Sequence, residues 1–335
     1  MIKNKVICIG EALIDRIICQ SNNEYKDYFG GAPANVACAL KKLNVSSAFI
    51  GCLGNDKDGK EFVDLFNSLN VDISFLQINN KFSTRIVNVL SDNYGDRSFS
   101  GFETKNNDFF ADEALDKSIF EKKIYQLEKL YSETKFIITG TNLLSSSKSA
   151  QALKFLLNFS KDYQIKIVID LNWRDIFWQN SSFTKNMTQL DHINTIKKFL
   201  TQGSILKLAH EEAILFFGTN DPFLISNNLP KKPDVIITDG SNPIIWFIQG
   251  IQGSNSLEHT MKIIDTTGAG DAFLAGLISQ LVNSEDNLNK TSIKNLIHFA
   301  NVSGLLTCLG KGAIESQPYY SKVLKFLDIL GSRTL

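Results

Sequence analysis

Short runs rich in Val, Ile and Phe return along the chain at intervals wide enough to hold a helix between them, and this alternation most limits the folds open to it. Residues 6–9, 48–50, 136–139, 165–169, 205–208, 235–238 and 244–248 read as β segments. Apolar residues at helical spacing mark 35–43, 59–69, 149–159, 192–200, 211–217, 272–282 and 293–306 as helices between them. Strand and helix in turn predict an α/β fold with a mostly parallel central sheet flanked by helices on both faces. Two stretches break the rhythm: 13–29 and 84–102 carry strand patterns without helices, the second with a turn signal at 92–96. They are expected to pair as a small β-sheet lid, with strands from about 12–30 and 84–102, lying over the main strand ends and excluding water from a site. No internal repeat, low-complexity tract or linker divides the chain, so 1–335 reads as one domain.

A length of 335 residues is long for one compact domain but within reach of an α/β domain with an added layer. With 43% hydrophobic and 21% charged residues the profile is that of a globular protein with a large core. Lys plus Arg equals Asp plus Glu at 35 each, and the charges are dispersed, so neither nucleic acid nor an anionic membrane is the expected partner; a small molecule is. The five cysteines (Cys8, Cys19, Cys38, Cys52, Cys308) form no C-x-x-C pair and the four histidines are scattered, which argues against a zinc site and a disulfide framework. They read as small core residues in a reducing compartment. The opening MIKNKVICIGEALIDRI holds one short apolar run broken by Glu11 and Asp15, a strand rather than a signal peptide, and no stretch approaches membrane-spanning length. The expectation is a cytoplasmic enzyme or binding protein.

The chemistry concentrates in a few stretches. Residues 265–277 read DTTGAGDAFLAGL, a turn with two Thr, two Gly and two Asp that runs into an apolar helix pattern. Free N–H groups and the positive end of the helix dipole gather at such a start, and glycine allows close approach to the backbone, so an anion is the natural guest. The plainer alternative makes Asp271 a first-turn acid and Thr266 or Thr267 a cap, although a cap needs only one side chain. Residues 29–37, FGGAPANVA, are either a turn before a helix or a pocket in which Gly30 and Gly31 let a polyol meet backbone. In that pocket Asn35 and Asp15 would bond its hydroxyls. In IDLNWRDIFW, residues 169–178, Asp170, Asn172 and Arg174 stand where a strand gives way to a loop, the ligand-binding end of an open α/β sheet; a local Asp170 to Arg174 ion pair is the alternative. GNDKDGKE, residues 54–61, has phosphate-loop spacing but Glu61 in place of Ser or Thr and two acids inside the loop. It reads as a loop entering a helix.

Taken together these stretches resemble the ribokinase-like carbohydrate kinases, the PfkB family, from GGAPAN through DTTGAGDAF to FANVSGLLTCLGKGA, nearly the whole chain. The resemblance implies an α/β core of nine strands or so with a β lid, and transfer of the ATP γ-phosphoryl group to a sugar hydroxyl. It makes Asp271 the catalytic base, Gly268, Ala269 and Gly270 the anion hole, and Asp15, Gly30, Gly31 and Asn35 sugar contacts. It adds Arg97 on the lid, and Asp170, Asn172 and Arg174, to the substrate side. Thr238 and Gly240 would meet the nucleotide, with Asn301, Gly310 and Gly312 on its adenine side. The implied metals are Mg2+, reached through water by Glu212, and a monovalent cation, K+, at Asp265 and Thr267. A homodimer through the lid belongs to the same expectation. The element D-x-N-x-R-x-x-x-W with GEALID most resembles fructokinases, which convert fructose to fructose 6-phosphate; 2-keto-3-deoxygluconate kinases share D-x-N-x-R and stay open.

Two departures stand out: Ala209 replaces the first polar residue of N-x-x-E, and Pro243 replaces the second glycine of T-x-G-x-x-G. They motivate a second reading, a non-catalytic sugar- or nucleotide-binding regulator on the same fold. A nicotinamide-dependent oxidoreductase is disfavoured because no G-x-G-x-x-G follows the first strand.

Overall fold

Alternate residues of the first strand, β1 (Lys5–Ile9), face opposite sides, and each side has its own core: Val6 and Cys8 join one apolar cluster, Ile7 and Ile9 the other. A strand that must be apolar on both faces belongs in a sheet covered by helices on both faces. The computed structural model, which describes residues 5–19, 24–91, 97–103, 109–181, 183–257, 260–284 and 287–332, shows that arrangement.

The strands are β1, β2 (Leu13–Cys19), β3 (Tyr25–Gly30), β4 (Ser46–Ile50), β5 (Cys52–Gly54), β6 (Gln77–Asn79), β7 (Ile86–Ser91), β8 (Arg97–Phe102), β9 (Thr134–Thr139), β10 (Lys166–Asp170), β11 (Ile205–Ala209), β12 (Asp234–Thr238), β13 (Ile244–Ile248) and β14 (Ile251–Asn255). The main sheet runs β14-β13-β12-β11-β10-β9-β1-β4, parallel from β4 to β12, with β13 and β14 antiparallel. Helices Ala32–Lys42, Ala269–Asn283 and Lys290–Thr307 pack Val36, Leu40, Phe273, Leu277 and Ile297 on one face. Helices Ser147–Phe159, Gln189–Leu200 and His210–Phe217 pack Leu153, Leu156, Ile196 and Phe216 on the other. Each such fully buried side chain stabilises the fold by about 1.5–3 kcal/mol. All seven expected strands are present, and so are all seven helices. The sheet has eight strands among the described residues, short of nine, and β14 was not anticipated.

Chain order reverses at β1, which pairs with β4 on one side and β9 on the other. That is the switch point where ligands bind in open α/β sheets. The stretches 13–29 and 84–102 do pair, as a second sheet of order β3-β2-β7-β8 in which β2 and β7 run parallel and the outer pairs antiparallel. The turn signal at 92–96 lies outside the described residues.

Arg85, just before β7, fastens this sheet to the body. It is 4% exposed, donates from Nε and Nη2 to Asp112 at 2.9 and 3.0 Å, and lies over the rings of Phe102, Phe110 and Phe177. The stretch 54–61 is a loop entering a helix, as expected: Asp56 accepts from Gly59 N at 2.8 Å at the start of helix Lys57–Ser68, and from Thr84 N and Oγ1 at 2.7 and 2.9 Å. Cys8, Cys38, Cys52 and Cys308 are buried free thiols. No helix among the described residues is long and apolar enough to cross a membrane.

Removing one partner of a buried ion pair leaves the other's charge uncompensated. Arg85→Ala, which strands Asp112, is therefore expected to lower unfolding stability in urea by about 3–5 kcal/mol; a loss below about 1 kcal/mol, the range of an exposed pair, would show that Arg85 is no anchor.

Candidate active site

Two helices begin at one pocket, and each begins with a glycine that no other residue can replace without strain. Gly31, before helix Ala32–Lys42, has φ +97°, and a Cβ there would lie 2.6 Å from the Glu11 carbonyl oxygen. Gly268, before helix Ala269–Asn283, has φ +77°, and a Cβ there would lie 2.6 Å from the Ala313 Cβ. Pro33 in the first turn of the former helix gives up only an N–H that would have no helical partner. The latter helix starts with the Gly270 and Asp271 N–H groups lacking an intrahelical acceptor, the usual state of a first turn. Ala269 differs from its expected place in an anion hole, because its N–H donates to the Thr266 carbonyl at 3.2 Å.

Between the two starts, Asn35 Nδ2 donates to Asp271 Oδ2 at 2.8 Å. Burial, and next the charge of Asp170, push the Asp271 carboxyl up to about 6; Asn35, Lys207 and Arg174 pull against them. Asp271 and Asn35 line a cavity of about 390 Å³ with Asp15, Gly31, Asp170, Asn172, Arg174 and Glu212. Val87 of β7 and Phe99 of β8 bring the small sheet to its wall. A second cavity of about 460 Å³, lined by Gly240, Asn301, Ile263 and Phe273, shares Thr238, Thr266 and Gly270 with the first. The DTTGAGD turn thus forms the partition between two cavities.

Of the expected residues, Gly30, Gly310, Gly312 and Asp265 support the site without lining it. Gly30 makes room, since a Cβ there would lie 2.3 Å from Asp15 Oδ2. Gly310 and Gly312 line neither cavity: a Cβ on Gly310 would meet Ser316, and Gly312 N donates to Asp265 Oδ2 at 3.1 Å. Asp265 Oδ1 also accepts from Thr267 N and Oγ1 at 2.9 and 2.7 Å, so this carboxylate braces the turn. Glu212 accepts from Trp173 N at 2.6 Å and Ala209 N at 2.8 Å, capping its own helix from the third position where Ala209 offers no side chain. Burial raises its carboxyl above the ordinary range and Asp170 raises it further. Asn172 takes φ +43°, a left-handed conformation Asn tolerates, at the bend between Asp170 and Arg174. The Arg97 side chain lies outside the described residues.

Three functional candidates escaped the sequence reading. Lys207 on β11 gives Nζ to both Asp170 oxygens at 2.9 Å, replacing the supposed Asp170 to Arg174 pair. Burial works against its charge, but Asp170, Asp271 and Glu212 hold its pKa above the ordinary value. Its Nζ also stands 3.1 Å from where a Cβ on Gly270 would be, against the helix start. Glu11 and Asn142, in the loops after β1 and β9, complete the wall of the first cavity. A single Lys in ILKLA, or an Asn after a strand, carries no spacing signal; their position at the strands' carboxyl ends was the available clue.

Residues 3–319 match the profile described as pfkB family carbohydrate kinase. The chain belongs to this family. It is similar to the probable fructokinase-7 of Arabidopsis thaliana, 28% identical over 96% of this chain and 92% of that one. The fructokinase of Vibrio alginolyticus is 29% identical over 97% and 99%. Among solved structures, fructokinase with bound ATP from Xylella fastidiosa superposes with a TM-score of 0.85 at 23% identity, covering 98% of this chain and 99% of that one, which shows the fold. The chain is accordingly an ATP-dependent sugar kinase.

A carboxylate accepts a proton only in its ionised form. We expect kcat/KM to fall about tenfold per unit as pH drops below about 6. Asn35→Leu removes a hydrogen bond that favours the carboxylate and should move this limb to higher pH; a limb that stays in place would separate it from Asp271.

Proposed function

We propose that the chain phosphorylates fructose to fructose 6-phosphate with MgATP, the sugar occupying the 390 Å³ cavity and the nucleotide the 460 Å³ cavity. The observation that carries this reading is Asp271, a buried carboxyl at a helix start on the partition, hydrogen-bonded to the Asn35 amide. Fructokinases among the full-length relatives support the choice of sugar.

Asp271 takes the proton of the attacking hydroxyl, Asn35 holds the carboxylate toward it, and Asp15, Asn172 and Arg174 orient the sugar. Phosphoryl transfer asks the protein mainly for alignment and charge stabilisation. The Gly270 N–H at the helix start and the Lys207 ammonium, both at the partition, supply the latter; Gly268 shapes the turn that presents them. Thr238, Gly240 and Asn301 contact the nucleotide. The small sheet acts as a lid, through Val87 and Phe99; Arg97 stays a proposed sugar contact on the resemblance alone. The whole chain works as one domain in this reading, and the lid is the place of a homodimer contact.

The donors fit a magnesium ion held at one remove. Each Glu212 oxygen already accepts a backbone N–H and keeps lone pairs for a bound water, so Glu212 would hold Mg2+ through water, where the ion neutralises phosphate charge. A monovalent cation at Asp265 and Thr267 would act by steadying the turn they brace.

The test is ADP release with MgATP against fructose, 2-keto-3-deoxygluconate, ribose and adenosine, with and without K+. Fructose should exceed the others in kcat/KM by about tenfold or more, the discrimination a pocket of matched hydrogen bonds gives. A different preferred sugar would overturn the substrate; binding of fructose and ATP with no ADP formed would establish the regulator reading instead.

A further inference from the structure

Glu11 has no part in the phosphoryl chemistry above, yet its carboxyl is 2% exposed and lines the sugar cavity. It follows β1 at the switch point of the main sheet rather than lying on the small sheet. Asn142 Nδ2, across that switch point, donates to Glu11 Oε1 at 3.0 Å. Asn142 Oδ1 is buried without a hydrogen-bond partner, and so is Asn35 Oδ1 on the same cavity. A buried acceptor without a donor is costly, and such atoms persist where a ligand brings the donor.

The charges on this wall are lopsided. Glu11, Asp15, Asp170, Glu212 and Asp271 stand against Arg174 and Lys207, and Lys207 is held by Asp170. Burial pushes the Glu11 carboxyl up to about 7; its own backbone and Asn142 oppose that, while Asp112 and Asp271 add to it. A hydroxyl arriving here offers the donor that these acceptors lack. A sugar carboxylate beside Glu11 brings only more acceptors, and its charge meets like charge in a medium of low dielectric.

Resting on the sugar-kinase reading, we infer that Glu11, oriented by Asn142, is a specificity-determining residue. It accepts a hydrogen bond from a hydroxyl of a neutral sugar and turns away sugars that carry a carboxylate. Glu11→Gln tests this, because it keeps the size and an oxygen for Asn142 while removing the charge.

The measurements, made at about pH 8.5 so that the Glu11 carboxyl is ionised, are kcat and KM for fructose and 2-keto-3-deoxygluconate, calorimetric titration of both sugars without nucleotide, and the thermal midpoint. In Glu11→Gln the KM for fructose should rise about tenfold with kcat within about twofold, the effect of losing a charge-assisted hydrogen bond made equally in ground and transition states. The preference for fructose over the sugar acid should narrow by about tenfold or more. A changed midpoint with unaltered KM and preference would make Glu11 a purely structural residue and overturn the inference. If the wild-type protein turned over neither sugar, the kinase reading would fail, and the calorimetric comparison of wild type with Glu11→Gln would still decide whether Glu11 meets the sugar.

Discussion

The hydrogen bond from Asn35 to Asp271 joins residues far apart in sequence and fixes how two helix starts face each other. Each start is positive in its own field, and two of them turned toward one pocket repel unless negative charge lies between. Asp271 supplies that charge. The glycines at φ +97° and +77° let the chain enter both helices at these angles, while Gly30 yields the space that Asp15 fills. The parallel sheet contributes the rest by ending β1, β9, β10, β11 and β12 on the same side, so that Glu11, Asn142, Asp170, Lys207 and Thr238 meet though no two are neighbours in sequence.

That arrangement has an energetic side. The folded protein binds the Asp271 proton more tightly than the unfolded chain does, because its pKa rises from 3.8 to about 6. Its contribution to stability is therefore fully present below 3.8 and is lost as pH rises through about 6. At neutral pH the ionised carboxylate is held against its own solvation preference, a cost the apolar clusters on both faces of the sheet offset. A carboxylate with a pKa near 6 also has more drive to accept a proton than an ordinary aspartate, so the same burial would serve the proposed proton transfer.

Much of this was legible in the sequence. Regular runs such as VICIG and IIWFI mark strands because burial on both faces demands unbroken β-branched and apolar residues, and helices as long as Ala269–Asn283 show their period. Strand β14 was not legible: IQGSN has neither an apolar run nor alternation and forms because β13 offers it an edge. Asp271 and Asn35 were announced by turns and glycines, Asp170 by its place where a strand gives way to a loop, and Glu212 by the resemblance to the family's N-x-x-E motif. Lys207, Glu11 and Asn142 were not, since a buried polar residue at the end of an apolar strand looks the same in sequence as an exposed one. Gly310 and Gly312 were misplaced for a related reason, a glycine near a pocket being as apt to admit a neighbouring side chain as a ligand.

The most direct measurement is single-turnover phosphoryl transfer by Asp271→Asn with saturating fructose and MgATP, beside calorimetric binding of fructose to the same protein. The amide keeps the shape of the carboxyl and cannot take the proton. Binding should stay within a few-fold of wild type while transfer slows by about 100-fold or more, the range for loss of a general base. Transfer at nearly the wild-type rate would contradict the account, because the two helix starts would then hold something other than the base.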